Sequence, residues 1–139
     1  MDILNIRTGR REEMLSITRQ LQELVADNGF DEGLLVVHCP HTSACLTINE
    51  NADESVVADI LAALRTLVPR SGPYRHAEGN SDAHIKTSLF GPSLTLIVSG
   101  GKLQLGTWQG VFFCEFDGPR SRRLWAQWLG TIENDAARG

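Results

Sequence analysis

An uninterrupted apolar run, Leu34-Leu35-Val36-Val37, passes without a spacer into a polar cluster, His38-Cys39-Pro40-His41-Thr42-Ser43. The run is too hydrophobic for a surface loop, so it reads as a strand over 34–39 that is buried on both faces. The polar cluster then sits at the mouth of the core, and the Pro40 turn joins it to a second strand over 45–49. Buried polar groups need partners to offset desolvation, and loops on a rigid scaffold are where binding chemistry concentrates. A second polar stretch, Tyr74-Arg75-His76-Ala77-Glu78-Gly79-Asn80-Ser81-Asp82-Ala83-His84, has neither helical nor strand patterning. The two clusters are expected to face each other across a site.

The rest of the chain alternates strand and helix signals. A strand is expected over 3–7, and Met14, Ile17, Leu21, Leu24 and Val25 recur at helical spacing before Gly29. Asp53 reads as the N-cap of a helix carrying Val56, Val57, Ile60, Leu61, Leu64 and Leu67, with Glu54 in its first turn and Pro69 just past its end. Residues 70–82 form a long irregular connection, the kind of loop that is functional or disordered, and Tyr74, His76 and Asn80 favour function. A short helical or turn segment over 83–90 follows. Leu94, Leu96 and Val98 then alternate up to a hairpin turn at Gly100-Gly101 with another strand after it. Further strands are expected over 111–116 and 124–129. These elements specify an α+β fold, a strand-rich two-layer sandwich with helices packed outside. At 139 residues the chain has the size of one domain, expected over 1–139.

A net charge of -4 excludes the basic footprint of a nucleic-acid binder. The one basic run, Arg120-Ser121-Arg122-Arg123, reads as a solvated strand entrance. No apolar run is long enough to cross a bilayer, and Met1-Asp2-Ile3-Leu4-Asn5 lacks signal-peptide character, so a cytoplasmic protein with no membrane partner is expected. Cys39, Cys45 and Cys114 lack C-x-x-C spacing, which disfavours a disulfide framework and a thiolate zinc site alike. They read as small buried residues, with Cys39 a minor alternative as a nucleophile beside the histidines.

Three histidines, His41, His76 and His84, are candidates to hold a divalent ion, Zn2+ or Mg2+, with Glu78, Asp82 or Glu115 as oxygen ligand or base. Their spacing permits convergence without forcing it. The competing reading has each histidine satisfying loop backbone groups, and His38, sharing strand parity with Val36, reads as a hydrogen-bonded core histidine. Thr42, Ser43, Ser71, Gly72 and Arg75 supply hydroxyls, a flexible backbone and a guanidinium suited to phosphate. No nucleotide-binding glycine motif is present, and Gly100-Gly101-Lys102 is better explained as a turn. Trp108 reads equally as a stacking wall for a planar substrate, with Gln109 bonded to it, or as a core residue at a strand bend. Trp125 and Trp128 read as core or subunit-interface anchors. An asparagine at 82, equal in size to the aspartate, is expected to keep the fold.

Taken together, His41-Thr42-Ser43-Ala44, Ile48-Asn49-Glu50-Asn51-Ala52-Asp53, the stretch from His76 to His84, Gly106-Thr107-Trp108-Gln109 and Cys114-Glu115-Phe116-Asp117-Gly118-Pro119-Arg120 closely resemble the YjbQ family. The likeness runs from about Leu4 to Gly130. That family is also called the secondary thiamine-phosphate synthase family, after a low activity of its members. The resemblance implies a compact α+β trimer with sites near subunit boundaries, and its histidine positions match His41, His76 and His84, as its acidic position matches Asp82. It implies a metal-assisted enzyme acting on a small phosphorylated molecule. Asp82, Glu78 and His84 would be catalytic, and Thr42, Ser43, Arg75, Asn80, Trp108 and Gln109 would bind substrate. The alternative is a non-catalytic trimer that binds a metabolite or metal. Two tryptophans in Leu124-Trp125-Ala126-Gln127-Trp128 replace the aliphatic residues usual in the family, which bears on edge packing.

Overall fold

Residues 1–131 are described by the computed structural model; the remainder of the expected 1–139 domain, 132–139, lies outside the described residues. The elements run β1 (Asp2–Arg7), β2 (Glu13–Ser16), α1 (Thr18–Asp27), β3 (Gly33–His38), β4 (Ala44–Glu50), α2 (Glu54–Leu67), α3 (Ser81–Phe90), β5 (Ser93–Ser99), β6 (Lys102–Leu103), β7 (Gln109–Glu115) and β8 (Ser121–Gly130). They form a five-stranded sheet of order β1-β8-β3-β5-β6 and a three-stranded sheet of order β2-β7-β4, with every pairing antiparallel.

Strand alternation explains the layering. Every second residue of the larger sheet, Ile6, Leu35, Val37, Leu96, Val98, Leu124 and Ala126, packs inward against Ala44, Leu46, Val111 and Phe113 of the smaller sheet. Leu21 and Val25 of α1 complete that core. The opposite face of the smaller sheet, Met14, Cys45, Phe112 and Cys114, packs with Phe116 against Leu61 and Leu64 of α2 and Ala83 of α3. Full burial of each large apolar side chain contributes about 1.5–3 kcal/mol. The architecture is thus the expected α+β sandwich with helices outside.

Burial on both faces belongs to β7, in the middle of the small sheet, rather than to β3. β3 buries Leu35 and Val37 but turns Leu34, Val36 and His38 to the outer face of the large sheet, which no helix among the described residues covers. That face also carries Ile97 (58% exposed), Leu129 (50%) and Trp125 (37%). Trp128, on the inner side, stacks on Phe30 with ring centroids 4.4 Å apart.

Two further expectations change. Met14 belongs to β2, not to the first helix, because residues 13–16 pair with β7 from Ser16↔Phe112 to Glu13↔Glu115 and α1 begins at Thr18. β3 and β4 do not form a hairpin across Pro40, since they lie in different sheets; residues 39–43 cross between layers. The Asp53 cap holds as expected, its carboxylate accepting from Ser55 N–H at 2.9 Å. So does the hairpin, where Gly100 and Gly101 adopt φ of 58° and 72°, the left-handed pair of a type I′ turn.

Candidate functional site

The inter-layer crossing at 39–43 brings the two polar stretches together. α3 starts directly after Asn80, so Asp82 sits on the helix rather than in the expected 70–82 loop, and His84 lies in the helical segment expected over 83–90. This places His84 Nδ1 2.9 Å from the carbonyl of Thr42. A carbonyl only accepts, so Nδ1 is the donor in this contact and Nε2 is left outside it. The His76 ring lies edge-on to that of His84 with centroids 5.4 Å apart, and His76 Nε2 is 3.5 Å from an oxygen of the exposed Glu78.

His41 is held differently. Its Nε2 accepts the backbone N–H of Arg123 at 3.0 Å, and burial, followed by the nearby Arg122 charge, lowers its pKa. It is therefore a neutral imidazole whose Nε2 is already committed to β8. Among the described residues, no group of three or more His, Cys, Asp or Glu is placed to hold a metal ion. A single chain thus brings together His76 and His84, with Glu78 beside them. His38 hydrogen-bonds Ser93 Oγ through Nδ1 at 2.5 Å, on the outer sheet face rather than in the core.

The remaining expected site residues are dispersed, some near this pair and some far from it. Asn80 donates to Asp117 at 2.9 Å, and Arg120 holds the same carboxylate at 3.0 Å. Burial would raise the Asp117 carboxyl, but the Asn80 and Arg120 hydrogen bonds prevail and hold it below its usual range. Asn80 Oδ1 is buried without a hydrogen-bond partner among the described residues. Ser43 accepts from Arg122 at 2.9 Å. Arg75 and Glu78 are exposed. Trp108 (64% exposed) and Gln109 lie at the opposite end of β7 from Glu115, about 20 Å away by strand rise. Gln109 closes its own turn by accepting from Gly106 N–H at 2.8 Å.

Two buried ion networks flank the histidines. In the first, Glu115 shares inward parity with Val111 and Phe113 and meets Arg122, inward like Leu124, across the sandwich. Arg122 donates to both carboxylate oxygens, at 2.9 and 2.5 Å, and Thr8 Oγ1 donates at 2.8 Å, leaving neither oxygen free as a metal ligand or base. The basic run is therefore not wholly solvated, since β-alternation turns Arg122 into the core. In the second, the fully buried Asp82 accepts from Arg11 through both oxygens at 3.1 and 3.2 Å and from Lys86 at 3.0 Å. Lys86 also reaches Glu12 at 3.0 Å, and Arg65 bonds Glu12 at 3.1 Å. Burial would raise the Asp82 carboxyl, but the Arg11 and Lys86 hydrogen bonds outweigh it and hold it low. Asp82 is thus an ionised anchor for two cations, on the side of α3 away from His84.

The sequence reading missed Arg11, Glu12, Arg65 and Lys86. The signals available were the four-residue spacing of Asp82 and Lys86 on one helix face and the strand parity of Glu115 and Arg122. Cys39, Cys45 and Cys114 are buried and free. Burial pushes the Cys39 thiol up to about 11, and the Cys114 hydrogen bond, with burial, raises that of Cys45.

The family described as UPF0047 protein YjbQ-like matches residues 2–131. A UPF0047 protein of Methanocaldococcus jannaschii is 49% identical over 125 residues, covering 90% of this chain and 91% of the relative. The UPF0047 protein YugU of Bacillus subtilis is 45% identical over 128 residues, covering 91% and 97%. Among solved structures, a YjbQ/UPF0047-family protein of Clostridium acetobutylicum is similar with a TM-score of 0.90 and 46% identity, covering 93% of this chain and 100% of that one. A hypothetical protein of Aeropyrum pernix gives 0.89 at 37% identity, with 94% and 98% covered.

Proposed function

The chain belongs to the UPF0047 YjbQ-like family, and we propose that it is a metal-assisted enzyme acting on a small phosphorylated metabolite, with thiamine-phosphate synthase activity as a low side reaction. The observation that carries this reading is the histidine pair. His84 donates Nδ1–H to the Thr42 carbonyl, the arrangement that orients an imidazole for metal binding through its other nitrogen, and the His76 ring is adjacent. Two imidazoles suit Zn2+ better than Mg2+, which prefers oxygen ligands. Such an ion supplies Lewis acidity toward a phosphoryl oxygen.

In this reading His76 and His84 hold the ion, while His41, whose Nε2 is committed, contributes shape and polarity. Glu78 handles protons. Asp82 keeps Arg11 and Lys86 in position, a change from the catalytic role expected of it. Arg75, Asn80, Thr42 and Ser43 border the substrate. Trp108 and Gln109, distant within one chain, come from a neighbouring subunit of a homotrimer whose contacts include the uncovered apolar sheet face. A cytoplasmic setting suits the free thiols. Among the described residues no helix is long and apolar enough to cross a membrane.

One observation favours a non-catalytic metabolite- or metal-binding trimer instead. The buried carboxylates Asp82 and Glu115 are consumed by ion pairs, leaving, among the described residues, only exposed Glu78 beside the histidines as an open base. A turnover panel of phosphorylated metabolites, run with metal-stripped protein refilled with Zn2+ or Mg2+, decides between the two. Turnover that falls at least about a hundredfold in His84→Ala supports the enzyme. Binding without turnover of any compound supports the alternative.

A further inference from the structure

On the far side of α3 from the histidine pair, Arg11, Glu12, Arg65, Pro69 and Arg70 line an open cavity of about 400 Å³. Its separation from the first site follows from helix geometry. Asp82 and Lys86 share one face of α3 and are tied to Arg11 and Glu12, whereas His84, two residues from each, lies about 200° around the axis. We propose that this cavity binds the phosphate group of a small molecule, held by the guanidinium groups of Arg11, Arg65 and Arg70. The inference is independent of the metal-assisted reading.

The charge arrangement supports an anion. Arg11, Arg65, Arg70 and Lys86 lie with two directly paired carboxylates, Glu12 and Asp82, while Asp117, whose charge also acts on Arg11, is held by Arg120, in a chain whose overall charge is -4. Clustered cations repel one another, and an incoming anion relieves that repulsion. The carboxylates leave donors to spare. Arg65 engages Glu12 only through Nε, and among the described residues Arg70 makes no side-chain hydrogen bond or ion pair. Arg11 Nε, buried and without a hydrogen-bond partner among the described residues, is closed off from the cavity, so its guanidinium meets an anion through the terminal nitrogens. Arginine is the side chain suited to forked recognition of phosphate oxygens, and several converging forks make a stronger site than one.

The walls are also built. Glu12 lies against Lys86, Arg11 and Arg65 at 3.0–3.2 Å, so its role is to position cations rather than to meet the ligand. The C-terminal end of α2 presents negative partial charge that disfavours an anion. Two carbonyls at this end already have donors, which reduces that effect: Leu64 accepts from the N–H of Val68, and Pro69 accepts from the Tyr74 hydroxyl at 2.5 Å. Pro69 contributes an apolar wall, and the volume lies within the range of small-molecule sites, leaving room for an organic body beyond the phosphate.

Calorimetric titration of the whole protein with inorganic phosphate and with inorganic pyrophosphate tests the proposal at low ionic strength, with chloride as the control anion. Arg65→Gln and Arg70→Gln are combined because both side chains reach solvent, so folding, checked by circular dichroism, is retained. The expected result is saturable binding of pyrophosphate that weakens at least tenfold in the double variant and is unchanged in His76→Ala. Absence of saturable binding, equal affinity in the double variant, or loss of binding in His76→Ala with retention in the double variant would each overturn it. The last result would place the anion at the histidines and leave the metal-assisted reading standing.

Discussion

Replacing Asp82 by asparagine removes one of the two negative charges, Asp82 and Glu12, that Arg11 and Lys86 share inside the protein. The Lys86 side chain is 1% exposed and cannot reach water, so the change leaves an ammonium whose only remaining carboxylate is Glu12. Removing one partner of a buried pair costs about 3–5 kcal/mol, and retention of the Glu12 contact puts the expected loss at the lower end, about 3 kcal/mol. For a chain of this size about 4 °C of Tm accompanies each kcal/mol, so a fall of about 12 °C is expected. The expectation from side-chain size alone, that asparagine keeps the fold, therefore holds for shape but not for stability. Lys86→Met should cost less than half as much, because Asp82 keeps its two-pronged contact with Arg11. Urea unfolding followed by circular dichroism measures both. The sign with pH follows from the depressed carboxyl. Its stabilisation is present above the unfolded pKa of about 3.9 and is lost as pH falls through the lower folded value, so Asp82→Asn should flatten the acid limb below about pH 4. A loss under about 1 kcal/mol, or a larger loss in Lys86→Met, would refute the role of Asp82 as the anchor.

His41 has a lowered pKa, so the unfolded chain binds more protons between the folded value and about 6.5; stability should rise with pH across that window and His41→Gln should abolish the rise in pH-resolved urea titrations. Ile97→Asp combined with Leu129→Asp should lower the light-scattering mass of the proposed trimer toward that of a monomer and make Tm independent of protein concentration, because both side chains belong to the apolar face that no helix among the described residues covers. Native protein at neutral pH should show no fast-reacting thiol toward an aromatic disulfide reagent until urea unfolds it, since all three cysteines are buried. One equivalent reacting at once would contradict that burial.

Local sequence signals located elements well where each was self-contained. The Asp53 cap, the Pro69 stop and the Gly100-Gly101 turn act within a few residues, and the structure has them where they were expected. Partnership across the chain was harder to read. Nothing near Pro40 tells a hairpin from a crossing between sheets, because the difference lies in the partners β8 and β7, far along the sequence. Met14 satisfies helical spacing with Ile17 and Leu21, yet pairing with Cys114 prevails. The same limit applies to the site. The proximity of His76 and His84 was suggested by their shared polar stretch, but the capture of His41 by Arg123 is a contact between distant segments. The arginine cavity joins the β1–β2 connection to the end of α2, positions with no common motif.

The central claim is that His76 and His84 together hold a divalent ion. Anomalous scattering collected at the zinc edge from crystals grown with Zn2+, beside equilibrium Zn2+ binding to His76→Ala and His84→Ala, tests it most directly. A peak within about 2.0–2.1 Å of a ring nitrogen of each histidine is expected, with affinity reduced at least tenfold by either substitution. Zinc bound elsewhere, or with unchanged affinity in both variants, would contradict it.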